Sequence, residues 1–377
     1  MAHICYITGL YNRRDPLMFY RQGISMVTAG HKVSFIVCDS QDDEFTEGIH
    51  IFSTHFVPKS RVERFIKTKN KILKLADKVD ADIYQISDPE HISLVKHFQK
   101  RGKAVIFNMR EYYPDMLMKK SYIPASLRPI VTKWYIKKMK RYYPQYGAIF
   151  SSDAKDVDLL KRNFGATKAY LAANFPIPDM DYSISKDDYM SRKDTVIYEG
   201  TIYTRSRQDV FLDALQRIGN VSYLLVGKLD SATAPIKEHS WWKNVEFVDG
   251  FRKEDLRGYF ERSTISNTLR NFLSGDGSYG VLKIFESMEA CLPVILSDVP
   301  LYREMVNKWR CGVLADPNDI DSVEKAIRYL VENKEEAYEM GQNGRRAVLE
   351  EYNWGKQFEV YEKVILDLVE KLKKNNQ

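Results

Sequence analysis

The chain has 377 residues, 44% of them hydrophobic, and a net charge of +6 from 57 basic and 51 acidic side chains. This length exceeds what one hydrophobic core organises, so two domains are expected, and the apolar content excludes a disordered chain. A spanning helix, a secretory signal and a disulfide framework are not expected: no apolar run nears the roughly 18 residues of a spanning helix, no basic lead precedes the first apolar run, and Cys5, Cys38, Cys291 and Cys311 lack Cys-x-x-Cys spacing. The cysteines read as small buried thiols of a reducing cytosol.

In chain order, His3–Thr8 reads as a first strand, followed by the loop Gly9-Leu10-Tyr11-Asn12. A helix is predicted over 16–29 and closed by Gly30, then a strand over 32–38, an edge strand over 48–56 and a basic helix over 59–79. Ile83–Ile86 is a strand, Pro89–Arg101 a helix stopped by Gly102, Ala104–Asn108 and Gly147–Ser151 are strands, and Ala154–Phe164 is a helix ended by Gly165. This alternation argues for an open parallel sheet with helices on both faces.

Residues 115–141 hold one acidic residue, Asp115, against Lys119, Lys120, Arg128, Lys133, Lys137, Lys138, Lys140 and Arg141. Apolar and aromatic residues, Trp134 and Tyr135 among them, are interleaved. The pattern fits an anionic membrane surface and equally an ordinary helix with solvated lysines. Nucleic acid is not an expected partner, since no recognised RNA-binding motif accompanies the patch.

Asn174-Phe-Pro-Ile-Pro-Asp179 breaks the rhythm, and with the charged stretch 183–193 it reads as the linker. Strands are then predicted at 196–199, 222–226, 245–247, 265–269, 294–296 and 311–314, and helices at 207–218, 253–261, 320–333, 334–351 and 354–374. Two doubly wound domains facing a cleft follow from this order, and ligands bind at such clefts.

The richest stretch is 278–304. A small-residue loop ends at Gly280, and Val281, Ile284, Phe285, Met288 and Leu292 follow near helical spacing. A loop entering a helix start presents free amides and a partial positive charge to an anion, with Lys283 and Glu286 in the first turns.

Lys283-Ile-Phe-Glu286-Ser-Met-Glu-Ala-Cys-Leu-Pro293-Val-Ile-Leu-Ser-Asp298, Cys311-Gly312-Val-Leu-Ala-Asp-Pro317, Met340-Gly341-Gln-Asn-Gly and Tyr352-Asn353-Trp354 together resemble retaining glycosyltransferases of the GT-B fold, in glycosyltransferase family 4 (group 1). In the N-terminal half, Gly30-His31-Lys-Val-Ser-Phe-Ile, Asp88-Pro89-Glu90 and Arg110-Glu111-Tyr-Tyr-Pro114 resemble a polysaccharide-assembly subgroup more loosely. The resemblance implies an α/β GT-B chain: an acceptor-side Rossmann-like domain over 1–180, a nucleotide-sugar domain over 181–352, and a helix over 353–377 that packs back on the first. It implies transfer from a UDP- or GDP-linked sugar to a saccharide or lipid-linked acceptor with retention, without a metal or other cofactor. A cytoplasmic enzyme, peripheral on the inner membrane face, is the expected setting.

By the same resemblance, Glu286 holds the nucleotide ribose; the alternative is a helix-start glutamate placed by the dipole. Lys283 faces the diphosphate or is merely solvated, and Gly280 and Val281 belong to the same helix start. Glu199-Gly200-Thr-Ile-Tyr-Thr-Arg205-Ser-Arg207 matches the loop that delivers a basic pair to the diphosphate, but Thr201 and Ser206 stand at the two basic positions. Arg205 or Arg207 then substitutes, the planar guanidinium suiting phosphate. Gly9, after the first strand, lets backbone approach a ligand or simply makes a turn.

Two departures stand out. Ser278 occupies the place of the first glutamate of the Glu-x7-Glu pattern, with Asp276 near but out of register. Arg110 replaces a histidine, and with Glu111 it suits a donor bearing a carboxylate, which Arg110 would pair. A non-catalytic nucleotide- or glycan-binding protein is therefore the alternative function; nucleotide-sugar epimerisation fits the Leu-Pro-Val-Ile and Asn-Trp runs less well. The histidines show no metal spacing, and P-loop, zincin and nucleophile-elbow motifs are absent.

Overall fold

Short runs of β-branched and apolar residues, buried on both faces, make parallel strands here. They are His3–Thr8 (β1), Lys32–Val37 (β2), Glu44–Thr46 (β3), Ile49–Ser53 (β4), Ile83–Ile86 (β5), Ala104–Met109 (β6), Ala148–Ser151 (β7) and Ala169–Leu171 (β8). In this computed structural model, which describes residues 1–60, 63–120, 122–272 and 277–375, they pair in the order β3-β4-β2-β1-β5-β6-β7-β8. Only the β3–β4 pair is antiparallel. The segment expected at the edge, β4, is therefore interior, and the edge falls to three residues of the acidic run before it. A short charged strand is a common way to blunt a sheet edge.

The second sheet comprises Thr195–Glu199 (β9), Ser222–Gly227 (β10), Val245–Asp249 (β11), Ile265–Asn267 (β12), Val294–Ser297 (β13) and Gly312–Ala315 (β14). Its order is β11-β10-β9-β12-β13-β14, parallel throughout. The chain divides into two compact units, Met1–Asn174 with Trp354–Gln377, and Phe175–Asn353. Each has its own sheet.

Several helices differ from their predicted form. The 16–29 segment is a π-helix, Pro16–Gly23, running into an α-helix, Ile24–Thr28. Asp15 caps it by accepting from the Leu17 and Met18 amides. The 59–79 segment likewise holds a π-helix, Arg64–Thr68, before the α-helix Lys69–Val79. The charged 183–193 stretch is not a linker. It contains the helix Lys186–Ser191, capped by Ser185, and Tyr189 on it is buried and donates to the Thr264 carbonyl at 2.7 Å. One aromatic anchor outweighs the polar composition around it.

The terminal helix Trp354–Asn375 belongs to the first unit. Tyr361, Val364, Ile365, Leu368 and Val369 are buried with Ile4, Tyr6, Phe35 and Phe150. The Tyr361 hydroxyl donates to Gln85 Oε1 at 2.6 Å, and Trp354 Nε1 donates to Ser25 Oγ at 2.9 Å.

Candidate active site

In the second unit the chain crosses the sheet one way from β9 and the other way from β12, so the space beyond their carboxyl ends is a topological switch point. A cavity of about 290 Å³ lies there. Tyr198 and Glu199 come from the end of β9, Arg205 from the loop beyond it, Arg270 from the loop after β12, and Gly280, Val281, Lys283 and Glu286 from the start of the helix Leu282–Glu289. Five of the sequence-predicted site residues thus share one cavity: Arg205, Gly280, Val281, Lys283 and Glu286. Gly200 borders it at φ +99°, where a Cβ would stand 3.4 Å from Lys283 Nζ, so glycine suits both the backbone and the lysine.

Positive charge dominates this cavity. The N-cap residue Val281 offers no side-chain cap to the Leu282–Glu289 helix, and among the described residues its start keeps the partial positive charge of a helix N-terminus. Lys283 Nζ lies 3.5 Å from the centre of the Tyr198 ring, and the Arg205 guanidinium 5.0 Å from that of Tyr203. Among the described residues no ion pair engages Arg205, Arg270 or Lys283. Burial, then the neighbouring Arg205 charge, pulls the Arg270 guanidinium below its ordinary value. Two adjacent cations in a partly dry pocket are an arrangement that an anion would relieve.

Glu199 is the counterweight. It is 5% exposed, burial pushes its carboxyl up, and Lys283 pulls it partly back. Its Oε1 is buried with no hydrogen-bond partner among the described residues. Glu199 and Arg270 were not among the residues singled out from sequence; the available signal was that Glu199 ends one predicted strand and Arg270 directly follows another, on the ligand side of a parallel sheet.

Arg207 does not join them. It takes a left-handed conformation at φ +45° ahead of the helix Gln208–Ile218, and its guanidinium pairs with Asp209 at 3.0 Å and bonds Asn318. A carboxylate two residues on, at a helix start, captures it. Ser278 is likewise engaged within the fold, where its hydroxyl accepts from the Gly280 amide at 3.0 Å and its carbonyl accepts from the Tyr302 hydroxyl. Asp276 lies outside the described residues.

The first unit has its own switch point between β1 and β5, with a cavity of about 140 Å³ lined by Tyr11, Phe107, Arg110, Glu111, Tyr113 and Tyr143 among others. Arg110 already has a carboxylate partner, the helix-capping Asp15, and lies 4.6 Å from the Tyr11 ring centre. Pairing of Arg110 with an acidic donor, expected from charge alone, therefore competes with an internal ion pair. The Gly9 amide is likewise taken, by Asp88, whose carboxylate also accepts from Thr8 Oγ1 at 3.0 Å and contacts His91 at 3.2 Å. Gly9 serves this buried network; a ligand would have to displace Asp88. Among the described residues no group of His, Cys, Asp and Glu is arranged to hold a metal ion.

Residues 184–347 match the family model described as glycosyl transferases group 1. This stretch is a group 1 glycosyl transferase domain. It contains the whole of the cavity at the β9–β12 switch point. No curated protein sequence matches the chain. Among solved structures, sucrose-phosphate synthase from Thermosynechococcus elongatus is similar with a TM-score of 0.73 at 15% identity, covering 97% of this chain and 100% of that one. HepE from Anabaena, in complex with UDP and glucose, gives 0.69 at 13% identity over 97% and 100% of the two chains. WaaG, a glycosyltransferase involved in lipopolysaccharide biosynthesis, gives 0.67 at 12% identity over 96% and 99%. At these identities the likeness establishes the fold, which is GT-B, with two Rossmann-like units as expected from the sequence.

Proposed function

We propose that the group 1 domain binds a nucleoside diphosphate sugar in the β9–β12 cavity and that the chain transfers the sugar, with retention, to a saccharide or lipid-linked acceptor. The convergence of Arg205, Arg270, Lys283 and a helix start in that cavity carries this reading. These groups neutralise the diphosphate as its charge grows, which is where preorganised donors lower a barrier most. Glu286 accepts from the ribose hydroxyls. The acceptor hydroxyl oxygen bonds the anomeric carbon as the bond from that carbon to the phosphate oxygen breaks. The departing phosphate takes the hydroxyl proton on the same face, so no protein nucleophile is required. HepE, solved with UDP and glucose, supports a uridine donor over a guanosine one. The acceptor saccharide binds at the aromatic cavity of the first unit, in surface polysaccharide or glycolipid assembly on the cytoplasmic side of the membrane.

A thermal-shift panel of nucleotide sugars tests the donor. A ligand at 100 times its dissociation constant stabilises the folded state by about 2.7 kcal/mol. Release of UDP or GDP with an acceptor extract, lost in Glu286→Ala, then establishes transfer. Ser278, committed to the Gly280 amide where the resemblance calls for a glutamate, favours a second reading: a nucleotide-binding protein that supports a partner enzyme. Tight nucleotide binding with no transfer across a broad donor and acceptor panel would decide for it.

A further inference from the structure

Residues 116–142 contain eight basic side chains and no acidic one. They supply most of the helix Tyr113–Lys119 and all of the helix Arg128–Tyr142. On the longer helix Thr132, Tyr135 and Met139 are buried, and Ile130 and Trp134 face water at 63% and 53% exposure. Leu127, just before the helix, is exposed at the same helical spacing. Lys137 and Arg141 continue this outer stripe, Lys133 and Lys138 flank it, and Lys138 Nζ lies 4.5 Å from the Trp134 ring centre.

A second element extends the face. The helix Arg64–Thr68 exposes Phe65 and Ile66 next to Lys67, and Lys69 follows it. Burial first, and then the charge of Lys69, pull the Lys138 ammonium below its ordinary value, so the two basic elements lie within electrostatic reach. Two carboxylates meet this second element, Glu63 paired with Lys67 and Glu90 paired with Arg64. The face thus combines protruding apolar side chains with basic ones on the longer helix that contact rings and backbone carbonyls but, among the described residues, pair with no carboxylate.

We propose that this face docks on an anionic lipid bilayer, with Ile130 and Trp134 entering the headgroup layer and the surrounding lysines and Arg141 meeting lipid phosphates. Charge complementarity selects the anionic leaflet. The aliphatic side chains select lipid over RNA, which would match the charge and leave Leu127, Ile130 and Ile66 in water. The same segment supplies Met116 and Lys120 to the cavity of the first unit. Docking would therefore bring a membrane-borne saccharide to that cavity, a step that rests on the proposed transfer reaction, whereas docking itself does not.

The test is co-sedimentation of the full chain with vesicles of phosphatidylcholine alone or mixed with phosphatidylglycerol. Binding is expected only to the mixed vesicles, weakening about fivefold for each basic residue neutralised, as in Lys133→Gln and Lys137→Gln, and falling as salt screens the charge. Ile130→Asp with Trp134→Ala should abolish it while melting temperature and nucleotide affinity stay at wild-type values. Equal sedimentation with both vesicle types, wild-type binding by the Ile130 and Trp134 variant, or retention of a single-stranded RNA without vesicle binding would each overturn the proposal. Vesicle binding without sugar transfer would leave docking standing and remove only the acceptor step.

Discussion

Lys283 Nζ rests 3.5 Å from the centre of the Tyr198 ring, so the helix that begins at Leu282 and the strand that ends at Glu199 are tied by a cation on an aromatic face. The ring holds the ammonium at the mouth of the cavity without neutralising it, as a carboxylate would. Lys283→Ala should weaken binding of a nucleoside diphosphate about ten- to hundredfold, the range of a charge-assisted hydrogen bond, and leave the unphosphorylated nucleoside unaffected. Calorimetric titration with UDP and uridine checks this; equal losses for both ligands would assign Lys283 a structural role instead.

Arg270 and Arg207 make opposite predictions. Arg270 lies in the cavity beside Arg205, whereas Arg207 is spent on Asp209 and Asn318. Arg270→Ala is expected to raise the dissociation constant for the diphosphate about tenfold or more. Arg207→Ala should change it less than about twofold and alter stability by no more than about 1 kcal/mol, as for an exposed ion pair. The reverse ranking would restore Arg207 to the site.

The contrast shows where sequence reading succeeds in this chain. Most strand positions were legible because β1, β5, β9 and β13 are short, mainly apolar runs, and the helix at 282–289 followed from its spacing. β3 and β8 were not, since three residues give no period, and Asp42-Asp43-Glu44 reads as a loop until a neighbouring strand supplies its hydrogen bonds. Among the candidate site residues, Glu286, Lys283 and Arg205 were singled out from motif and position, and the structure brings them to one cavity. Arg207 and Gly9 were misleading for one reason: a nearby carboxylate, Asp209 or Asp88, claims the donor, and pairing across a turn or across 79 residues leaves no mark in the sequence. Arg110 is a third case, since Asp15 is 95 residues away.

That ion pair makes Arg110 testable as a specificity residue. If Arg110 is held by Asp15, Arg110→Ala should change the affinities for neutral and acidic nucleotide sugars in the same ratio. A selective loss of the acidic donor, measured by competition with a fluorescent nucleotide, would show that the arginine leaves Asp15 to meet ligand.

In the first unit, the Tyr361 hydroxyl donates to Gln85 Oε1 at 2.6 Å and lies 3.1 Å from the Tyr6 hydroxyl, all of them buried. Tyr361→Phe keeps the ring packing and strands the Gln85 oxygen, which should cost about 1–3 kcal/mol. Denaturant unfolding should show this loss, while nucleotide affinity, proposed for the other unit, stays unchanged.

A pH experiment follows from Asp156, in the first turn of the helix Ala154–Phe164. Burial, reinforced by the Asp153 charge, pushes its carboxyl up to about 7. An unfolded aspartate titrates near about 3.9. Between these values the folded state binds more protons than the unfolded one, so this group makes stability fall as pH rises through the window and level off above it. Asp156→Asn removes the titration while keeping the shape and a polar group for the Ser151 hydroxyl at 3.4 Å. The variant should match wild type below about pH 4 and exceed it increasingly up to about pH 7, with a constant margin at higher pH. Melting temperatures of both proteins at pH 4, 6 and 8 measure the difference; a margin that does not change with pH would mean that the folded and unfolded carboxyls titrate together.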